Sequence, residues 1–325
     1  MSPIRLALLA LALAACSSTE RTVGLRLEND LGDLRNDYTH NTELWWSQPI
    51  EEAPGLLADV ANSKVARLLA WPLDPDEATG TKLRYRVGQL IYTPVDVTKA
   101  VLQPRDRPFG AWLHAGVAID RVRLDADDSR RRDQRSSLEL DLGIVGPSAL
   151  GKEVQTEWHS FWELQPIDGW QNQLHDEATL LLAGRNDWRL AFEQLGEREQ
   201  LDLLGHADWS LGNLRTGLDL GGTLRFGRDL PRDFGLRSPG GEEHGGHLFV
   251  TGNLRLVEQD LFLNGNTSKD SHSVPKEDLV GEVGVGFSMR LGPVHLRLAR
   301  TVRSDEFRWQ HGTQGVWTLD LVGAL

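Results

Sequence analysis

The sequence predicts an all-β protein, a transmembrane antiparallel up-and-down β-barrel of about twelve strands. The first observation is that segments of about ten residues alternate apolar residues with charged residues or Gly. The second is that mean hydropathy is only −0.36 although 40% of the residues are hydrophobic. A barrel with lipid outside and a polar lumen requires such alternation. Because β-barrels often run to 325 residues as one domain, residues 16–325 are predicted to form a single barrel domain.

Two segments illustrate the alternation. In 137–144, Leu138 and Leu140 alternate with Glu139 and Asp141. The segment 281–290 repeats the pattern with Val and Phe against Gly and Glu. The even number of strands agrees with bacterial barrels. The predicted strands are 22–29, 39–48, 82–92, 110–122, 136–145, 177–195, 200–211, 214–227, 246–258, 279–290, 293–303 and 313–324.

Three local features refine this prediction. Gly184 to Asp187 could form a turn, but the number of strands would then be odd. This stretch is therefore interpreted as a polar step inside one long strand. The stretch 55–69 is predicted to be helical and ended by Pro72, with its apolar side chains packed under the barrel. Those side chains are Leu56, Val60, Leu68 and Leu69. Tryptophans near strand ends are expected to form interfacial girdles, namely Trp45, Trp46, Trp112, Trp188, Trp209 and Trp317.

The N-terminus indicates export. Residues 1–15 carry Arg5 and then an apolar run that is typical of a signal peptide and too short to span a membrane. Cys16 directly follows a small-residue pattern typical of bacterial lipoprotein signals, so we predict that Cys16 is lipidated. Ordinary cleavage after Ala14, which leaves Cys16 as a thiol, is the alternative. The predicted location is the bacterial outer membrane.

Charge excludes one class of partner. The chain has 35 Lys and Arg against 47 Asp and Glu, a net charge of −12. Nucleic-acid binding needs a basic surface, so no nucleic-acid partner is expected. A monomer is expected. The sequence also lacks the Gly-x-Ser-x-Gly elbow of serine hydrolases.

Polar residues gather at the predicted extracellular rim when the first strand begins on the periplasmic side. Residues 155–163 are predicted to form a short helix in an extracellular loop, with Gln155, His159 and Glu163 on one face by i, i+4 spacing. The neighbouring apolar side carries Trp158, Phe161 and Trp162, which suit the outer-leaflet interface.

At these positions the chain resembles the outer-membrane lipid A 3′-O-deacylase family, over nearly the whole mature sequence. Several motifs occur in the same order as in the family. They are Glu28-Asn-Asp30, Asp37-Tyr-Thr39, Gln89-x-Ile-Tyr-Thr-Pro94, Asp106-Arg-Pro-Phe-Gly-Ala-Trp112, Gly143-x-Val-Gly-Pro147, Gln155-x-x-x-His159, Gly169-Trp-Gln-Asn-Gln173 and Ser210-Leu-Gly-Asn213.

The resemblance implies a twelve-stranded barrel that hydrolyses the 3′-linked acyloxyacyl chain of lipid A, in lipopolysaccharide of the outer leaflet, with a calcium ion. It implies that His159 is the general base, that Gln155 orients the site and that Thr39 forms a hydrogen bond within it. Asn29 and Asp30 would form the calcium-side cluster.

Two further roles follow from the same resemblance. Lys99 would contact a lipid A phosphate. The family has an acidic residue shortly after the histidine, where this chain has Gln165 in ungapped register. Glu163, on the predicted helix face, is therefore the expected second metal ligand beside Asp30. A hard cation such as calcium prefers these oxygen ligands.

Two other functions remain open at this point. One is a non-catalytic outer-membrane barrel, either a narrow pore or a structural lipoprotein. The other is a phospholipase that acts on glycerophospholipids and keeps the barrel. A pore would place charges along its lumen and would need no polar set at the rim.

Overall fold

The structure is a computed structural model that describes residues 21–30, 38–69, 73, 75–127, 132–232, 234, 245–310 and 312–324. Twelve strands form a closed barrel in which each strand pairs antiparallel with its neighbours along the chain, and the first strand pairs with the last. The predicted fold class is confirmed. The predicted signal peptide and Cys16 lie outside the described residues.

The strand bounds agree with the sequence pattern to within two residues. The stretch around Gly184 is part of one long strand, as interpreted from the sequence. The strands are β1 Thr22–Asn29, β2 Tyr38–Pro49, β3 Gly80–Tyr92, β4 Gly110–Arg123, β5 Gln134–Val145, β6 Glu177–Gln194, β7 Glu199–Gly212, β8 Arg215–Arg228, β9 Gly246–Asp260, β10 Leu279–Leu291, β11 Val294–Arg303 and β12 Gln314–Ala324.

In the part of the chain that the structure describes, four short α-helices lie in the connections between strands. Because none of the described helices is both long and apolar enough, none can cross a membrane. They are α1 Gly55–Asn62, α2 Lys64–Leu69, α3 Gly151–Phe161 and α4 Leu261–Asn264. Short 3-10 turns occupy Ile50–Glu52, Pro75–Glu77, Pro147–Ala149 and Trp170–Asn172.

Charged side chains on alternate strand positions point into the lumen and pair across it. Arg84 contacts Asp120 at 3.1 Å and Glu139 at 2.9 Å, and Arg86 contacts Glu43 at 2.9 Å. These side chains line a cavity of ≈ 680 Å³ inside the barrel. The outward positions carry exposed leucine and valine side chains that suit contact with lipid. The alternation read from the sequence is therefore the alternation between lumen and lipid.

An apolar plug fills the extracellular end of the lumen. Tyr92 ends β3, and Phe262 lies in α4 directly after β9, which is the strand opposite β3 in a ring of twelve. Their ring centroids are 4.6 Å apart. Trp112, Val145 and other buried side chains belong to the same cluster. The lumen therefore carries charges as a pore would, but side chains from opposite walls meet across its mouth.

Two of the tryptophans expected in the interfacial girdles are placed elsewhere. Trp45 and Trp112 are 8% and 5% exposed and point inward. Trp112 stacks on His114 and donates a hydrogen bond to Thr179 Oγ1 at 2.8 Å. The girdle prediction is wrong for these two, because position near a strand end does not reveal which face a tryptophan occupies. Trp46 and Trp317 are partly exposed.

The predicted helix in 55–69 is present but divided at Ser63 into α1 and α2. Its small residues Ala61 and Ala66 pack on the outer wall of β3 and β4, against Leu83 and Ile119. The expectation that its larger apolar residues pack under the barrel is wrong for Leu56, Val60 and Leu68, which are 76%, 52% and 75% exposed. Leu69 does pack against the wall cluster.

Candidate functional site at the extracellular rim

The candidate site lies on the outer face of the wall, along one row of paired residues near the extracellular ends of the strands. Asn29 on β1 is paired with Trp317 of β12 on one side and with His40 of β2 on the other. The row continues through His40, Ile91 of β3 and Ala111 of β4.

Helix α3 crosses this row from β4 to β2. Its first residue, Gly151, lies against Ala111, and the ring of Trp158 near its last turn lies 6.2 Å from the ring of His40. The 11 residues of α3 extend about 16 Å, and two strand spacings amount to about 10 Å. The helix is thus long enough to bring His159 towards β1, where Asn29 and Asp30 end the strand.

Close contact at the start of α3 requires a residue without a side chain. A Cβ on Gly151 would lie 2.4 Å from the Cβ of Ala111 and 2.7 Å from the ring of Trp170. Gln89 on the outer face of β3 also holds this end, because its Nε2 donates to the carbonyl of Ala149 at 2.6 Å. The barrel wall therefore sets the position of α3.

The hydrogen bond of His159 determines which ring nitrogen can accept a proton. Nδ1 lies 2.8 Å from the backbone carbonyl oxygen of Gln165. A carbonyl can only accept, so Nδ1 is the donor and Nε2 of the neutral ring is unprotonated. His159 is thereby prepared to take a proton at Nε2.

Glu163 does not share a helix face with His159, contrary to the sequence prediction. Helix α3 ends at Phe161, and Glu163 lies beyond it with a left-handed φ of 52°. Its side chain is exposed. The i, i+4 argument fails here because it assumes a helix that continues through 163.

Gln155 is buried at 3% exposure, and its Oε1 accepts a hydrogen bond from Trp170 Nε1 at 3.0 Å. Trp170 in turn packs against Phe109 with ring centroids 5.1 Å apart. Gln155 therefore joins α3 to the 3-10 turn that carries Trp170 and to the wall beneath. This contact fits the orienting role that the resemblance implies.

Lys99 lies in the neighbouring loop and forms an ion pair with Asp96 at 3.0 Å. Hydrogen bonds from Thr98 and Lys99 hold the pKa of the Asp96 carboxyl below its ordinary value, so the partner of Lys99 stays charged. The loop also meets the Trp170 turn, since a Cβ on Gly169 would lie 2.5 Å from the carbonyl oxygen of Lys99. The lysine remains 55% exposed and accessible to a ligand.

The remaining predicted residues are only partly placed. Asn29 and Asp30 stand at the extracellular end of β1, as predicted. Thr39 lies in β2 beside His40, and its side chain is outside the described part of the structure.

Two residues at the site were missed by sequence reasoning. His40 lies between Asn29 and Trp158 and has its Nε2 2.5 Å from Thr42 Oγ1. Arg300 on β11 is paired with Trp317, the other neighbour of Asn29, and its guanidinium lies 5.5 Å from the centre of that ring. Strand register alone brings these residues together, and a single sequence does not display register. The sequence signal that could have identified them is a polar residue at a strand position that the alternation predicts to face lipid.

A calcium ion takes six to eight oxygen ligands. Among the described residues, no three His, Cys, Asp or Glu side chains are grouped to hold a metal ion. Residue 165 is a glutamine, so its side chain offers no carboxylate, and its backbone carbonyl accepts the hydrogen bond from His159. Side-chain carboxylates of the described residues therefore do not complete a calcium site, and carbonyl or amide oxygens would have to supply the remaining ligands. No step of the reaction proposed below passes through calcium.

A closed barrel with an apolar outer band, a charged lumen and a polar site at its rim defines an integral outer-membrane protein. Residues 4–322 match the profile of the family described as outer membrane protein LpxR. The chain belongs to this family.

Two solved structures are among those similar to this chain. LpxR from Salmonella typhimurium matches with a TM-score of 0.72 and 21% sequence identity, over 94% of this chain and 100% of that chain. The β domain of the Bordetella autotransporter BrkA matches with a TM-score of 0.47 and 10% identity, over 94% and 98% of the two chains. A comparison with curated protein sequences gave no match.

Proposed function

We propose that this protein is an outer-membrane esterase that removes the 3′-linked acyloxyacyl chain from lipid A, with His159 as the general base. One observation carries the proposal: α3 crosses the outer wall towards Asn29 and carries a histidine whose Nδ1 is held by the Gln165 carbonyl. Membership of the LpxR family and the lipid A deacylase motifs support the substrate.

In the proposed reaction Nε2 of His159 takes a proton from water while the water oxygen attacks the ester carbonyl. The bond between the acyl carbon and the 3′ oxygen then breaks, and the proton passes to that oxygen. The products are the free acyloxyacyl acid and a 3′ hydroxyl. The Gln165 carbonyl accepts from Nδ1 and keeps the ring in one orientation, so the proton is taken up and returned at Nε2.

The location of the site supports a substrate held in the outer leaflet. Phe161 and Trp162 next to His159 are 69% and 53% exposed, on the outer side of the barrel. Exposed aromatic rings favour the interface between head groups and acyl chains. Lys99 in the adjacent loop and Arg300 along the wall offer positive charge to lipid A phosphates.

The calcium requirement is proposed from the family resemblance, with Asp30 as its ligand and Glu163 as the weaker candidate because of its position beyond α3. A bound calcium ion would polarise the ester carbonyl and stabilise the oxyanion. Chelation followed by addition of calcium or magnesium tests this part alone. If deacylation is equally fast with chelator and with calcium, the proposed calcium requirement is wrong. The proposed role of His159 as the general base is not affected by that result.

The decisive experiment is mass spectrometry of lipid A and phospholipids from outer membranes with and without this protein. The proposal expects lipid A that has lost the 3′ acyl group and unchanged phospholipids. Appearance of lysophospholipids with intact lipid A would instead support a phospholipase. Unchanged lipids of both kinds, with a folded barrel, would support a structural lipoprotein.

A further inference from the structure

The segment formed by α1 and α2 is attached to the outside of the barrel near its periplasmic end. Ala61 and Ala66 face the wall and belong to one buried cluster with Leu83, Ile119 and Leu138. These three leucine and isoleucine side chains occupy outward positions of β3, β4 and β5, because their neighbours Arg84, Asp120 and Glu139 pair inside the lumen. The segment therefore covers wall that would otherwise face lipid.

A polar row beneath this segment shows that the cover is a fixed part of the fold. Arg121 on β4 is paired with Thr81 of β3 and Ser136 of β5, all at outward positions. Arg121 and Ser136 are each only 1% exposed. Arg121 Nη2 donates to the backbone carbonyl of Ala61 at 2.7 Å. Because an arginine facing lipid is costly, the wall at this level is built to be covered by α1.

The side of the segment that faces away from the barrel carries four large apolar side chains beside a few exposed polar residues, among them Asp59. Leu56 and Val60 of α1 are 76% and 52% exposed, and Val65 and Leu68 of α2 are 65% and 75% exposed. Four large apolar side chains exposed on two adjacent short helices are unusual for a surface in water.

The height of the exposed apolar wall differs between the two sides of the barrel. On β4 the outward positions above the segment run from Leu113 to Val117, the last of which packs against the cluster beneath α1 and α2. They span about 10 Å along the membrane normal at a tilt of ~40°. On β10 they run from Leu279 to Leu291, about 30 Å by the same estimate. An apolar band of ~25 Å is typical of outer-membrane barrels.

The helices can make up part of this difference because they are continuous with the lipid-facing wall. A helix pair with a diameter of about 10 Å brings the apolar surface of the β4 side to about 20 Å, close to the ~25 Å of a typical band. We infer that α1 and α2 form an interfacial membrane anchor, whose outer face of Leu56, Val60, Val65 and Leu68 lies among glycerophospholipid acyl chains of the periplasmic leaflet. This inference rests on the barrel alone and does not depend on the proposed hydrolysis.

The anchor has a structural consequence for the rim. The periplasmic helices and α3 cover opposite ends of the same strands, since Ile119 and Ala111 are both on β4. The depth of the anchor therefore fixes how far the wall under α3 is immersed in the membrane.

Fluorescence quenching in vesicles tests the inference. The mature chain carrying Cys16→Ala receives a single cysteine at Leu56 or Leu68, is labelled with bimane and is refolded into phosphatidylethanolamine and phosphatidylglycerol vesicles. Lipids with a nitroxide near the head group should quench both labels at least threefold more than iodide does. Leu254→Cys on the lipid-facing wall is the positive control, and Glu197→Cys in a periplasmic turn is the aqueous control.

Two results would overturn the anchor. Labels at 56 and 68 that respond to iodide like the Glu197→Cys label would place the face in water. Labels that neither quencher reaches would mean that protein, such as a second copy of the chain, covers the face. Heat-modifiable migration on gels verifies that each variant is folded.

Discussion

At the scale of residues, His159 is held through a backbone atom. Its Nδ1 donates to the carbonyl of Gln165, so the side chain at 165 can change without loss of this contact. We expect His159→Ala to lower deacylation by about 10²–10⁴-fold, the range of general-base catalysis. Gln165→Ala should stay within a few-fold of the wild type, as measured by release of the 3′ acyl chain.

The exposed His175 in the same loop provides a matched control, because His175→Ala removes an imidazole away from α3. Normal activity of that variant and normal heat-modifiability of all three would make the comparison valid. A Gln165→Ala defect as large as that of His159→Ala would show that the side chain at 165 itself takes part in the reaction.

If Gln155 only orients α3, it affects the reaction solely through its hydrogen bond with Trp170. Gln155→Ala removes the buried acceptor and Trp170→Phe removes the donor of the same hydrogen bond. Both variants should lower kcat by a similar factor, and the double variant should be no worse than either, because residues that share one interaction are not additive. Additive losses in this double-mutant cycle would instead assign Gln155 a second contact, with the substrate.

Around the candidate site, the sequence predicted local structure better than it predicted side-chain contacts. The i, i+4 spacing correctly joins Gln155 to His159 in one helix, but it does not reveal that Gln155 is buried against Trp170. Glu163 was misplaced because α3 ends at Phe161, and a left-handed residue follows. His40 and Arg300 join the site through strand register, which depends on pairings between distant segments.

At the scale of elements, strands were the most predictable part of the molecule. Period-two alternation distinguishes lumen from lipid along most of each strand, so it reveals the strands and their approximate ends. The polar step at Gly184–Asp187 illustrates this, since Arg185 and Asp187 are paired in the lumen while the strand continues. Helices α1 and α2 were predictable as helices, but their attachment to the outer wall was not. An apolar stripe indicates that a helix packs against another apolar surface, but it does not identify which part of the protein provides that surface.

The seating of α3 on β4 depends on Gly151, and a single methyl group tests it. Gly151→Ala would bring a Cβ to 2.4 Å from Ala111, so the start of α3 must lift from the wall. We expect deacylation to fall at least tenfold while the barrel remains heat-modifiable. Gly55→Ala at the start of α1 is the matched control, because a Cβ there meets nothing within 4 Å. If Gly151→Ala keeps wild-type activity, the close packing of α3 on β4 is not required for deacylation.

At the scale of the whole molecule, the proposed site lies outside the barrel, and the lumen is filled by paired charged side chains. Paired charges fill the middle of the lumen. At the extracellular end Arg107 and Glu306 form a buried ion pair at 2.7 Å that joins two loops across the barrel. Burial alone would raise the pKa of Glu306, but the charges of Arg303 and Arg107 outweigh it and lower the pKa to about 2. The loops above the plug therefore stay joined at any pH near neutrality.

The plug predicts that the barrel conducts no steady ion current. Tyr92 and Phe262 reach from opposite walls and meet at 4.6 Å, so shortening both should open the extracellular mouth. In planar lipid bilayers we expect the wild type to remain closed and Tyr92→Ala with Phe262→Ala to show current steps. Loss of a buried Phe costs ~3–5 kcal/mol, so heat-modifiability must first confirm that the double variant is folded. Phe226→Ala, which shortens a half-exposed side chain on the lipid-facing wall, should stay closed. A steady current through the wild type would contradict the closed lumen and restore the pore as a competing function.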